Sequence, residues 1–167
     1  MAKVYPFKGK GGRRMITVFD VADYFLSRIE LESGSLMTHL KLQKLCYYAQ
    51  AWHLVFDDDP MFEQTFQAWA HGPVCPELWN KYKNYKWHAI PAPEEFDGTM
   101  FKETEVETLE AVWDTYGQFD GKYLEDLTHE EEPWVTARGA VPPGEICDSV
   151  ILWDSMKEFY TRLQENG

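Results

Sequence analysis

Cysteine is scarce in this sequence: Cys46, Cys75 and Cys147 are three among 167 residues. They are odd in number, far apart and without a CxxC pair. That argues against a disulfide framework or structural zinc site and points to a reducing cytoplasm. No apolar run approaches the roughly 20 residues that span a bilayer, and no apolar stretch follows the basic start as in a signal peptide. Walker, dinucleotide, Gly-x-Ser-x-Gly and His-Glu-x-x-His motifs are all missing, so the chemistries they carry have no support here. Internal repeats are missing too. Basic residues are the other shortage. Sixteen Lys and Arg face 28 Asp and Glu, and five of the sixteen (Lys3, Lys8, Lys10, Arg13, Arg14) fall within residues 1–14. Residues 15–167 therefore hold eleven basic against 28 acidic residues, a formal net of −17. Such a body repels phosphate backbones, which argues against nucleic acid as a partner. The 1–14 arm lacks periodicity and reads as a flexible, solvated basic tail.

What is present is apolar and aromatic: 44% of the chain is apolar and seven residues are Trp. A chain this size can bury roughly 70% of its unfolded surface in one core. From Thr17 the pattern is helical, with Val21, Phe25 and Ile29 on one face, and Glu32 to Ser35 reads as a turn. The clearest helix runs from Thr38, as N-cap, to about Phe56. Leu42, Leu45, Cys46, Ala49, Trp52, His53 and Phe56 form its inward stripe. Lys41, Lys44 and Tyr48 line one flank of that stripe, and Gln43, Tyr47 and Gln50 line the other. Only two charges occur between Leu40 and Val55, so this helix is expected to be central and covered on most sides.

Thr65 to Ala70 alternates as a short strand, and His71 to Pro76 reads as a rigid turn. Pro76 opens a helix to about Tyr85, with Leu78, Trp79 and Tyr82 inward. Residues 86–103 are expected to be loop. Thr104-x-x-Glu107 has the form of a capping box, before an inward face of Val106, Leu109, Trp113 and Tyr116 that ends at Gly117. Asp120 starts a short helix, Pro133 another with Trp134 and Ala137 inward, and Asp148 is expected to cap a last helix carrying Leu152, Met156, Phe159 and Leu163. The expected fold is mainly α, a single compact multi-helix domain over residues 15–167 with a small β element near residues 62–71.

Candidate chemistry is thin. His39, Cys46 and His53 recur every seven residues, a rise of about 10.5 Å, which is too far for neighbours to share one zinc ion. No metal or other cofactor is expected. Cys75 with His71 or His129 is the only nucleophile–base combination, and it supports a small Cys/His hydrolase or transferase as the alternative reading. His129 beside Glu130 to Glu132 is most simply an imidazole held by a carboxylate. Trp69, Tyr47 and Tyr48 are hard to bury together, and aromatics beside Lys and Gln on a charge-poor helix have the composition of an interface core. The opposing reading is that these side chains fix neighbouring helices.

Three blocks carry a resemblance. Leu40 to Tyr48, within Thr38-His39-Leu40-Lys41-Leu42-Gln43-Lys44-Leu45-Cys46-Tyr47-Tyr48-Ala49-Gln50, resembles the first signature of the Panacea antitoxin-domain family. That family includes SocA-like antitoxins and phage-associated GepA-type proteins. Ala68-Trp69-x-x-Gly72-Pro73-Val74-x-Pro76 resembles its second block, and Leu127-Thr128-His129-x-Glu131-x-Pro133-Trp134 its third. The likeness spans about residues 17–163 in family order. It implies a non-enzymatic cytoplasmic protein of bacteria or their phages. Such a protein neutralises by direct contact a cognate toxin encoded in the same operon, with no small-molecule substrate and no membrane involved. Some members deliver toxin to a protease, and a phage-borne protein or protease adaptor binding another host protein is a further alternative reading. The candidate partner-binding residues are Lys41, Gln43, Lys44, Tyr47, Tyr48, Gln50, Trp69 and His129.

Overall fold

A computed structural model describes residues 15–31 and 36–167. The expected tail at 1–14 and the turn at 32–35 lie outside the described residues. Seven helices and three short strands follow one another: α1 (Val18–Leu31), α2 (His39–Asp57), β1 (Phe66–Trp69), β2 (Gly72–Val74), α3 (Pro76–Tyr82), α4 (Glu103–Tyr116), α5 (Gly121–His129), α6 (Glu132–Arg138), β3 (Val150–Ile151) and α7 (Trp153–Asn166). The fold is mainly α, as the periodicity predicts.

Helix α2 is the axis. Thr38 caps it by accepting from the Lys41 N–H, and Asp58 ends it in the left-handed region with its N–H on the Leu54 carbonyl. Helices α1, α3, α4, α5 and α7 and strand β2 all pack on it. Its stripe of Leu42, Leu45, Cys46 and Ala49 is fully enclosed, while Trp52 is half-buried. Phe56, expected inward, lies in the last turn and is 47% exposed, at a groove it shares with Val112 of α4 and Gln164 of α7. The Phe56 ring stacks on Trp52.

The sheet has the order β2-β1-β3 and is antiparallel throughout. Trp69 pairs with Gly72, so Ala70-His71 forms a two-residue hairpin turn, and part of the expected rigid turn is strand. Strand β3 corrects the expectation for Asp148. Val150 and Ile151 pair with Gln67 and Phe66, and the last helix starts only at Trp153, without a side-chain cap. Ladder hydrogen bonds to β1 therefore outcompete the local cap. Leu152, left outside that helix, is 65% exposed, and Leu163 is also exposed, near the chain end. The capping box is shifted as well. Helix α4 begins at Glu103, and it is the Glu105 carboxylate that accepts from the Lys102 N–H. Phe101, buried against Tyr24 and Phe96, sets where the chain enters that helix.

Two glutamines of α2, seven residues apart and so on one face, grip the loops that cross it. Gln43 accepts from the Cys75 N–H and donates to the Cys75 carbonyl. Gln50 accepts from the Met61 N–H at 2.7 Å and donates to the Phe62 carbonyl at 2.6 Å. Each amide pairs with a buried backbone N–H and a carbonyl, the Cys75 carbonyl also accepting from the Trp79 N–H of α3. Replacing Gln50 with Leu leaves both of its partners buried and unpaired, and should cost about 2 kcal/mol in urea denaturation. A loss within experimental error would show that the loop satisfies itself without the amide.

Candidate functional site

The flanks of α2 are turned into the fold, where their side chains meet neighbouring elements. Lys41 donates to the Gly117 carbonyl at the end of α4 and approaches the Trp113 ring. Tyr48 stacks on Tyr116 at 4.0 Å and donates to Glu131, and Tyr160 donates to the same carboxylate oxygen at 2.6 Å. Tyr47 packs edge-on against Phe66 and Tyr160, and its hydroxyl lies 3.2 Å from the Tyr160 oxygen, whose one proton goes to Glu131. With Gln43 and Gln50, these side chains are at most 5% exposed. Two tyrosine hydroxyls compensate for burying the Glu131 carboxylate. Even so, desolvation outweighs them and raises its pKa to about 7.

Lys44 is fully buried. It donates to the Pro73 carbonyl at 3.1 Å, and burial lowers its pKa to about 7 despite the nearby Glu125. This lysine explains Gly72. That residue has φ of +101°, and a Cβ there would lie 2.6 Å from Lys44 Cε and 2.9 Å from Thr128 Oγ1. Only glycine leaves room for the lysine stem under the hairpin and accepts that backbone conformation. Trp134 locks the hairpin from the other side, its indole N–H donating to the Trp69 carbonyl. The first, second and third sequence blocks thus meet at Lys44, Gly72, Thr128 and Trp134.

Above this floor opens a cleft of about 830 Å³, within the usual range of binding sites. Gln43, Lys44 and His39 lie at its base, and Trp69, Val74, Trp79 and Trp87 form apolar walls. Trp69 is half-buried and meets Trp79 edge-on at 5.5 Å. Trp79, expected inward, is 37% exposed, since α3 is short and turns only Leu78 and Tyr82 to the core. Trp87, in the segment expected to be plain loop, is 74% exposed. Lys83, Lys86 and Lys122 stand at the mouth, with Asp120, Glu125 and His71.

His129 is half-buried and stacks on Trp134 at 4.2 Å rather than facing the cleft, and burial lowers its pKa. Glu125, Asp126 and His129 each place one ligand atom within 4.8 Å of the others. Lys122 pairs with both carboxylates and His71 lies within hydrogen-bond distance of Glu125, so these oxygens already have protein partners. Cys75 lacks the chemistry of a nucleophile. Its thiol donates to Glu77, desolvation pushes its pKa up to about 12, and His71 is engaged by Glu125.

Sequence reasoning missed Trp87 and Lys86, in the expected loop, and Lys83, at the end of the expected helix, because isolated aromatics and lysines there carry no periodic signal. Among the described residues, no helix is long and apolar enough to cross a membrane. The family model for antitoxin SocA-like proteins with a Panacea domain matches residues 42–135, more than half of the chain. No curated protein and no solved structure matches it. The matched span runs from the first turn of the axial helix α2 through the hairpin to the Pro133-Trp134 lock, and this chain belongs to the SocA-like, Panacea-domain antitoxin family.

Proposed function

We propose that this protein neutralises a toxin encoded beside it by direct protein–protein contact in the cytoplasm, and that the toxin docks in the Trp69–Trp79–Trp87 cleft. The exposure of Trp79 and Trp87 carries this reading. In a protein that buries most of its aromatics, two tryptophans are left open beside a polar floor. Tryptophan is enriched among interface hot spots because it removes a large rigid surface from water at low entropic cost. Family membership supports the antitoxin role, and the three buried free cysteines fit a reducing compartment. Of the eight candidate residues, Trp69, Gln43 and Lys44 reach the cleft and act in docking as wall and floor. Lys41, Tyr47, Tyr48, Gln50 and His129 act by holding the scaffold rigid.

The test is co-expression with the products of neighbouring genes, read as growth rescue and co-purification. The double variant Trp79→Ala, Trp87→Ala should weaken the complex by about 2 kcal/mol or more. Its melting temperature should shift by only a few degrees, since both rings are exposed. Absence of rescue and of complex formation by the unmodified protein with any neighbour would remove the antitoxin reading. A normal complex in the double variant would remove the cleft.

A further inference from the structure

We infer that the cleft takes an extended segment of the toxin in which a carboxylate neighbours apolar side chains. The carboxylate would lie on Lys83 and Lys86, with the apolar groups on Trp79 and Trp87. This rests on the antitoxin reading and gives the partner's chemistry.

Charge is the first support. The body carries a formal net of −17, yet three exposed lysines gather at one mouth. Lys122 is neutralised there by Glu125 and Asp126. Neither Lys83 nor Lys86 pairs with a carboxylate among the described residues. Lys83 reaches only the Asn80 amide oxygen and the face of Trp79, at 5.1 Å from the ring centre. Two uncompensated cations beside open indoles match a ligand that is acidic and apolar together.

Backbone strain is the second support. Lys86 has φ of +55° and ψ of −117°. The His88 N–H closes the turn on the Tyr85 carbonyl at 2.8 Å. That is the first central position of a type II′ turn, where glycine is favoured. A lysine held there is strained, and such strain gathers at binding sites. The turn places the charge of Lys86 and the ring of Trp87 side by side at the cleft mouth. Tryptophan and lysine would also suit single-stranded RNA. A phosphate chain brings a charge at every nucleotide against Asp120, Glu125 and the acidic body, whereas a peptide can place spaced carboxylates between apolar side chains.

The experiment uses the full chain and three labelled probes, read by fluorescence anisotropy. These are a capped octapeptide alternating Glu and Leu, its Lys/Leu counterpart, and a uridine octamer. The Glu/Leu peptide should bind at least about tenfold more tightly than either other probe, and Lys86→Glu should weaken it about tenfold. Lys86→Gly should weaken binding several-fold while the melting temperature stays level or rises, because glycine relieves the strained turn. Tighter binding of the Lys/Leu peptide or the RNA would overturn the inference. So would failure of the Glu/Leu peptide to bind, or binding insensitive to Lys86→Glu. A toxin complex that needs Trp79 and Trp87 but ignores Lys86→Glu would leave the antitoxin reading standing and sink this one. Failure of any neighbouring product to bind would sink the antitoxin reading whatever the peptides do.

Discussion

Arg138→Met should cost the fold about 3–5 kcal/mol. Arg138 is 4% exposed, and its guanidinium donates to three backbone carbonyls, those of Ala68, Pro142 and Glu145, at 2.7–2.8 Å. One cation thereby joins the central strand β1 to the loop that leads into β3, and the guanidinium also lies near the Trp134 ring. Hydrogen bonds from a charged donor contribute more than neutral ones, and Met would leave the Ala68 carbonyl dry and unpaired. The other two carbonyls lie nearer solvent and recover part of their loss from water. Lys at this position should rescue little, because an ammonium group cannot span carbonyls arranged around a planar fork. Urea denaturation of the three proteins is the measurement. A loss below about 1 kcal/mol in Arg138→Met would show that the loop is held by other contacts.

Glu131→Gln and His39→Gln should tilt the pH dependence of stability in opposite directions, each by about 3 kcal/mol across its window. Glu131 is raised by burial from an ordinary 4.5 to about 7. The folded state holds that proton more tightly than the unfolded one. Its contribution is complete below pH 4.5 and is lost as pH rises through about 7. His39 is lowered from 6.5 to about 4, by burial first and then by Lys44. Its contribution is complete above pH 6.5 and is lost as pH falls through about 4. Over pH 4.5–6.5 the two slopes oppose each other. Relative to the unmodified protein, Glu131→Gln should therefore gain stability as pH rises through this range, and His39→Gln should lose it. Lys44, lowered to about 7, adds a separate alkaline limb: stability present above pH 10.5 falls away as pH drops through about 7. Lys44→Met should remove that limb. Parallel profiles for all four proteins would show that these groups titrate alike in the folded and unfolded chains.

The buried Glu131 also shows how site and scaffold differ in this molecule. Tyr48 and Tyr160 reach one carboxylate oxygen from α2 and α7, and the Trp52 indole donates to Tyr116, which stacks on Tyr48. A satisfied buried polar network specifies one arrangement of helices. The residues that looked most like an interface are thus occupied in defining the core. The residues that looked like core or loop, Trp79 and Trp87, form the open surface.

By itself the sequence determined the helical periods, the axial role of α2, the Thr38 cap, the Pro76 start and the location of β1. Each of these rests on local physics: a repeat of three and four residues, a side chain that caps its own helix, a ring that fixes φ. Its three motif blocks also identified the family. Tertiary structure alone decided that both flanks of α2 meet protein rather than solvent. A long amphipathic side chain such as Lys44 suits either place until a neighbour arrives. It likewise decided that Val150 and Ile151 pair with β1 rather than follow a cap at Asp148, since a strand partner 83 to 85 residues away leaves no local trace. The cleft belongs to this second class. Its walls come from α3, the hairpin and the turn at Lys86-Trp87, segments whose sequence spacing says nothing of their meeting in space.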